Sequence, residues 1–180
     1  MTMKNHNYLV LKMFVLFCFL PQISFSAEFP FGKSAPEVII DSYEKNDLEG
    51  VSVGAARCVA VINLGRQFGM FDTKEDESLR SEVWSRLMRL VTLKYRESSA
   101  EPKLSYDQQM EAGGAQVMQL TEPYFSWIKK EEEIARSEGR SFIALFKSEY
   151  DVMKESVEFS PMLKEFVGCV VLARKKNNKD

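Results

Sequence analysis

The stretch from Glu49 to Phe71, EGVSVGAARCVAVINLGRQFGMF, decides the fold of this chain. Apolar residues recur along it at helical spacing and occupy almost every face, a pattern typical of a helix buried at the centre of a protein. Arg57 and Arg66 interrupt the run, and charged side chains are costly inside a bilayer. We therefore predict a central buried helix over about residues 49–71 and not a membrane span.

Helix start signals recur on both sides of this segment, whereas strand signals are few. Capping boxes predict helix starts at Ser34 and at Ser105, because a Glu or Gln follows each serine three residues later. The predicted helices around the central one are residues 34–46, a helix from Asp72 or Thr73 to about Arg96, residues 105–139 with a weakening at Gly113–Gly114 and a restart at Thr121–Pro123, and helices opening at Ser141 and at Ser160. The fold class is therefore all-α, a compact bundle of five or six helices.

Residues 1–26 have the composition of a cleavable secretory signal peptide. Two lysines precede an apolar run over residues 13–20, and small residues at 24 and 26 suit a signal peptidase. We predict cleavage before Ala27, which leaves residues 27–180 as a single helical domain in the periplasm or outside the cell. The apolar run is far shorter than the about 20 residues that a membrane span needs. We expect no stable membrane anchor after cleavage.

Charge and histidine content exclude several classes of function. The chain has 24 basic and 26 acidic residues, and without the two lysines of residues 1–26 it has 22 and 26, a formal net charge of −4. Proteins that bind nucleic acid usually have a clustered basic face, and the sequence gives no sign of one, so we expect no nucleic-acid partner. The only histidine is His6, inside the predicted signal peptide. Residues 27–180 therefore cannot build Ser–His or Cys–His catalytic pairs or histidine metal sites, and we expect no metal and no cofactor.

Cys58 and Cys169 are the two cysteines of the predicted mature chain. Both fall on faces that the helical pattern places in the core, and an exported protein folds where thiols oxidise. We predict that they form a structural disulfide between the central helix and the last one. The alternative is two separate buried thiols that behave as small hydrophobic side chains.

Candidate catalytic residues each have a simpler interpretation. Ser126 and Lys129 match the S-x-x-K pattern of penicillin-recognising enzymes, but the companion motifs are absent. Asp107 with Glu111, and the run Glu131–Glu133, could supply the carboxylate pair of a glycoside hydrolase. An acid catalyst needs burial to raise its pKa, and both groups lie on stretches that we predict to be solvated. We predict a protein that is not an enzyme, with a carboxylate-dependent hydrolase as an alternative.

Four aromatic residues are candidates for an interaction surface: Trp84, Tyr124, Phe125 and Trp127. Aromatic residues at helical spacing can line an interface or simply fill a core. Because no catalytic motif assembles, the first hypothesis is a non-catalytic protein of the cell envelope that binds another protein. A second hypothesis is a carrier whose helices enclose an apolar small ligand.

The layout of the cysteines resembles that of small exported all-helical proteins. Cys58 lies in an early core helix after Ala55 and Ala56, and Cys169 follows Gly168 in the final helix. Periplasmic immunity proteins that neutralise cell-wall amidase toxins share this layout. The resemblance covers only these few residues, implies function through protein contact, and carries no binding residues over to this chain.

Overall fold

The computed structural model describes residues 28–71, 73–98, 102–152 and 161–174, so the predicted signal peptide lies outside the described residues. Every regular element in these ranges is helical, which confirms the all-α prediction. In chain order they are α1 (Ala35–Glu44), α2 (Leu48–Gln67), α3 (Thr73–Glu82), a π-helical turn (Val83–Leu87), α4 (Met88–Val91), α5 (Leu93–Arg96), α6 (Tyr106–Ser137), α7 (Phe142–Val152) and α8 (Pro161–Arg174).

Helix α2 lies at the centre, as its sequence predicts. Helices α1, α4, α5, α6 and α8 all pack against it, and its buried residues span nearly its whole length. By length and composition alone α2 could cross a membrane, but 72% of its most apolar window is buried inside the protein. The core helix of a globular protein has the same composition, and burial against neighbouring helices accounts for it here.

Helix α2 ends at Gln67, four residues before the predicted end at Phe71. The cause is a Schellman motif, in which the amide of Gly69 donates to the carbonyl of Arg66 and the amide of Met70 donates to that of Gly65. Gly69 has a φ of 67°, which glycine adopts without strain. The sequence contains the glycine that closes the helix, but the apolar Met70 and Phe71 beyond it extend the apparent pattern.

The segment from Thr73 to Arg96 and helix α6 both differ from their predicted outlines. The first, predicted as one helix, contains the π-helical turn and a break at Thr92. The sequence predicts that α6 weakens at Gly113 and Gly114 and restarts near Pro123, but the helix is continuous over Tyr106–Ser137. Gly113 lies against Val91 and Thr92, where the missing side chain permits close packing. Tertiary packing thus overrides the weak helix propensity of these residues.

A disulfide joins the centre of the bundle to its last helix, which confirms the predicted pairing. Cys58 of α2 and Cys169 of α8 are fully buried, and their Cα atoms are 5.0 Å apart. The bond closes a loop across a sequence separation of 111 residues. Loop entropy gives such a cross-link about 4–5 kcal/mol of stabilisation. The predicted helix start at Ser160 lies outside the described residues, and α8 begins with Pro161.

Candidate functional site

The most unusual chemistry of the described residues is a buried charged cluster made by three helices. Arg57 of α2, Tyr124 of α6 and Glu165 of α8 meet in the core, and their exposed fractions are 4%, 0% and 0%. Charged side chains are rarely buried this completely unless they are paired. We call these three residues the buried cluster.

Hydrogen bonds satisfy the cluster from several sides. Nη2 of Arg57 lies 2.8 Å and 3.0 Å from the two carboxylate oxygens of Glu165. Nε of Arg57 donates to the hydroxyl of Tyr124 over 3.1 Å, and that hydroxyl donates to Oε1 of Glu165. The backbone amide of Ala35, at the start of α1, donates to Oε2 of Glu165 over 2.9 Å. Both oxygens of this buried carboxylate are therefore occupied by donors of the protein itself.

The segment before α1, residues 28–34, covers the cluster. Phe31 places its ring over the guanidinium of Arg57, with Cζ 3.9 Å from the ring centroid, which is a cation–π contact. The carbonyl of Lys33 accepts from Nη2 of Arg57 over 2.8 Å. Phe29 packs edge-on against Trp127 with ring centroids 5.6 Å apart. This segment separates the charged groups from solvent.

The electrostatics of the cluster follow from its burial. Burial raises the pKa of the Tyr124 phenol far above its ordinary value, and the charge of Glu165 raises it further, so the phenol keeps its proton. Burial also raises the pKa of Glu165, against the opposing charge of Arg57. A raised carboxyl pKa is what an acid catalyst needs. Here, however, both oxygens of Glu165 already accept hydrogen bonds from the protein.

The buried cluster therefore holds several helices together through hydrogen bonds and an ion pair. It joins α2, α6, α8 and the start of α1 through side chains that are satisfied only in this packing. From the sequence alone, Arg57 is only an interruption of an apolar helix, and the sequence analysis does not predict the cluster. The one clue in the sequence is the arginine itself, because a charged side chain on a buried face requires a partner.

The four candidate aromatic residues divide into two pairs. Tyr124 and Trp127 are buried and belong to the core, Tyr124 as a member of the cluster. Trp84 and Phe125 are exposed, with 57% and 49% of their surfaces accessible. The structure thus leaves Trp84 on the π-helical turn and Phe125 on α6 as surface residues, on two different elements.

The candidate catalytic groups do not come together in a cleft. Asp107, Glu111, Ser126 and Lys129 are all exposed side chains of α6. Glu131 is buried, contrary to the solvated stretch predicted for residues 131–133, because it shares the inward face of α6 with Trp127 and Ile128. No cluster of three or more His, Cys, Asp or Glu side chains among the described residues could hold a metal ion.

Two cavities bear on the carrier hypothesis. One is an apolar void between α2, α6, α7 and α8 with about 10 Å³ of space, which is at most room for one water molecule. The other is an open groove of about 560 Å³ between α2, α5 and α6. Its walls mix apolar side chains with an ion pair between Lys94 and Glu49, whose Nζ and Oε1 are 2.7 Å apart. The first cavity is apolar but too small for an apolar ligand, and the second is open and partly charged.

Comparison with known proteins supplies no family for this chain. No protein-family model, no curated protein and no solved structure matches it.

Proposed function

We propose that the protein is an exported, non-catalytic binding protein of the cell envelope that acts by contact with another protein. The observation that carries the proposal is the distribution of its large apolar and aromatic side chains. Several of them, among them Trp84, Tyr106, Met118 and Phe125, lie exposed on helices. Tryptophan, tyrosine, phenylalanine and methionine are the residue types that protein interfaces favour.

Two further features support a role through the surface. The groups of the buried cluster bond to one another, and donors of the protein itself already occupy both carboxylate oxygens of Glu165. The disulfide and the composition of residues 1–26 suit an oxidising compartment. The resemblance to immunity proteins agrees with inhibition or neutralisation by contact, and a partner-binding protein of this kind needs no cofactor.

The carrier and the hydrolase have less support. A carrier would need a closed apolar cavity, and the larger of the two cavities is open and partly charged. A carboxylate-dependent hydrolase would need two carboxyl groups facing each other across a cleft. Glu165, the buried carboxylate with the raised pKa, faces Arg57 and Tyr124 instead.

Affinity purification tests the proposal. Tagged full-length protein, expressed in its own host, is isolated from the envelope fraction after mild cross-linking, beside an unrelated exported helical protein with the same tag. We expect one protein to be enriched in stoichiometric amounts over that control. Native mass spectrometry of the same sample would instead favour the carrier if it showed a bound apolar small molecule and no protein partner.

A further inference from the structure

A tryptophan faces solvent at the one π-helical turn of the described residues. Along Thr73–Val91 the buried positions are Leu79, Val83, Leu87, Met88 and Val91. The wider π turn over Val83–Leu87 keeps these apolar residues inward and leaves Trp84 on the opposite side. Tryptophan is highly buried on average, so a side chain that is 57% exposed is unusual.

Two exposed arginines flank this tryptophan. Arg80 precedes it by four residues, one helical turn, and Arg89 follows it by five, just after the π-helical turn, and all three side chains are exposed. Arg89 forms no ion pair with any residue in the described ranges. The pKa of Asp76 is lowered mainly by its hydrogen bond with Arg66. The positive charge of Arg80 lowers the same pKa by a smaller amount. We call Arg80, Trp84 and Arg89 the Trp84 surface.

The acidic residue next to Trp84 is turned inward, whereas two others lie beside Arg80. Glu82 turns one carboxylate oxygen, Oε2, into the protein, where it is buried without a hydrogen-bond partner among the described residues. Glu77 is exposed and lies two helical turns before Trp84, but it is three residues before Arg80, and Asp76 is four residues before Arg80. Along this segment the exposed indole of Trp84 therefore lies between two exposed arginines, of which Arg89 is the one without an acidic partner among the described residues.

We propose that the Trp84 surface is the contact site for an acidic partner protein, which places an apolar pocket over the indole and carboxylates against Arg80 and Arg89. This inference rests on the proposed function and names the surface that performs it. Tryptophan and arginine are the residues most enriched among those that dominate binding energy. Guanidinium groups bind carboxylates through two parallel hydrogen bonds, which selects for a carboxylate-bearing partner by charge complementarity.

The same chemistry does not suit a membrane or a nucleic acid. A helix that lies on a bilayer needs a continuous apolar stripe facing the lipid, and Trp84 is the one large exposed apolar side chain that the structure describes along Thr73–Val91. A protein that binds nucleic acid neutralises several phosphates, whereas this surface offers two arginines on a chain of net charge −2.

Site-specific photo-cross-linking in the host tests the proposal. A benzophenone amino acid replaces Trp84 in one full-length variant and Tyr106, an exposed aromatic residue of α6, in the matched control. After illumination, mass spectrometry identifies the attached protein and the peptide that carries the adduct. We expect adducts at position 84 on an Asp- and Glu-rich segment, at least tenfold more abundant than adducts on that protein at position 106.

Charge reversal distinguishes the outcomes. Arg80→Glu with Arg89→Glu, introduced beside the position-84 cross-linker, should reduce the adducts at least tenfold, whereas Arg96→Glu on α5 should not. Protein adducts at position 106 with none at 84 would overturn the Trp84 surface and leave the proposed function standing. Absence of protein adducts at both positions, together with sedimentation of the wild-type protein with phosphatidylglycerol vesicles, would overturn the Trp84 surface. If the envelope purification also yielded no partner, the proposed function would be overturned as well.

Discussion

At the scale of single residues, burial and pairing decide what each charge can do. Arg57 is the clearest example, because an arginine in the centre of an apolar helix is acceptable only with its partners in place. Those partners come from three other parts of the chain, and Glu165 is 108 residues away in sequence. The energy of the cluster is therefore a property of the folded topology.

Removing one charge of the cluster should be strongly destabilising. We expect Arg57→Met and Glu165→Gln each to lower the free energy of unfolding by about 3–5 kcal/mol, because each leaves the other charge buried and unpaired. The double variant Arg57→Met with Glu165→Leu should recover much of that loss. Urea unfolding followed by circular dichroism measures all three, and exposed Lys164→Gln on the same helix should stay within about 0.5 kcal/mol of wild type. Single variants as stable as Lys164→Gln would contradict the structural role of the cluster.

Glu132 should make the stability sensitive to acid. Its carboxylate accepts from Arg136 over 2.8 Å and from the backbone amide of Phe142, at the start of α7, also over 2.8 Å. Arg136 is the largest cause of its lowered pKa, with the amide of Phe142 adding to it. Because the folded pKa lies below the unfolded one, the stabilisation is present above about pH 4.3 and is lost as pH falls through the folded value.

The check is a comparison of urea unfolding at pH 7 and pH 3. Glu132→Gln should lose less stability on acidification than wild type, because the carboxylate responsible is gone. Glu133→Gln changes an exposed neighbour by the same charge and should retain the wild-type pH dependence. Identical acid sensitivity in Glu132→Gln and wild type would show that this carboxylate does not stabilise the start of α7.

At the scale of elements, the starts of helices are predictable from sequence, and several of their ends and interruptions are not. The boxes at Ser34 and Ser105 are present as predicted, since a capping box depends on residues three apart in sequence. The π-helical turn and the continuity of α6 through Gly113 depend on the helices that pack against them. The disulfide is predictable because two cysteines permit one pairing, whereas the buried cluster requires knowing which helices are neighbours.

Two glycines give a matched test of this packing. Gly65 of α2 lies against the ring of Phe166, so a side-chain carbon there would overlap the ring. Gly114 of α6 has open space at the same position. We expect Gly65→Ala to destabilise the protein by about 1–3 kcal/mol through overpacking. Gly114→Ala should stabilise it by about 0.5–1 kcal/mol through helix propensity.

Thermal and urea unfolding of the two alanine variants decide this prediction. The signs of the two changes matter more than their sizes, since the substitution is chemically the same. Stabilisation by Gly65→Ala would mean that α2 and α8 do not approach each other as closely as the structure has them.

At the scale of the whole molecule, one buried helix organises the fold and the surface carries the proposed function. The all-α class, the central position of α2 and its connection to α8 follow from apolar patterning and from the two cysteines. The contact surface does not follow in the same way, because hydrophobic periodicity identifies residues that face inward. The residue type makes Trp84 a candidate, but its exposure depends on the π-helical turn.

Thiol titration tests the central claim, that this is an exported helical domain whose central and last helices are joined by a disulfide. The chain has three cysteines, and one of them, Cys18, lies in the predicted signal peptide. Protein isolated from its host without reductant, then unfolded, should therefore show no free thiol. One free thiol per chain would indicate a retained signal peptide with the disulfide intact. Two free thiols would contradict the disulfide that joins α2 to α8, and with it the central claim.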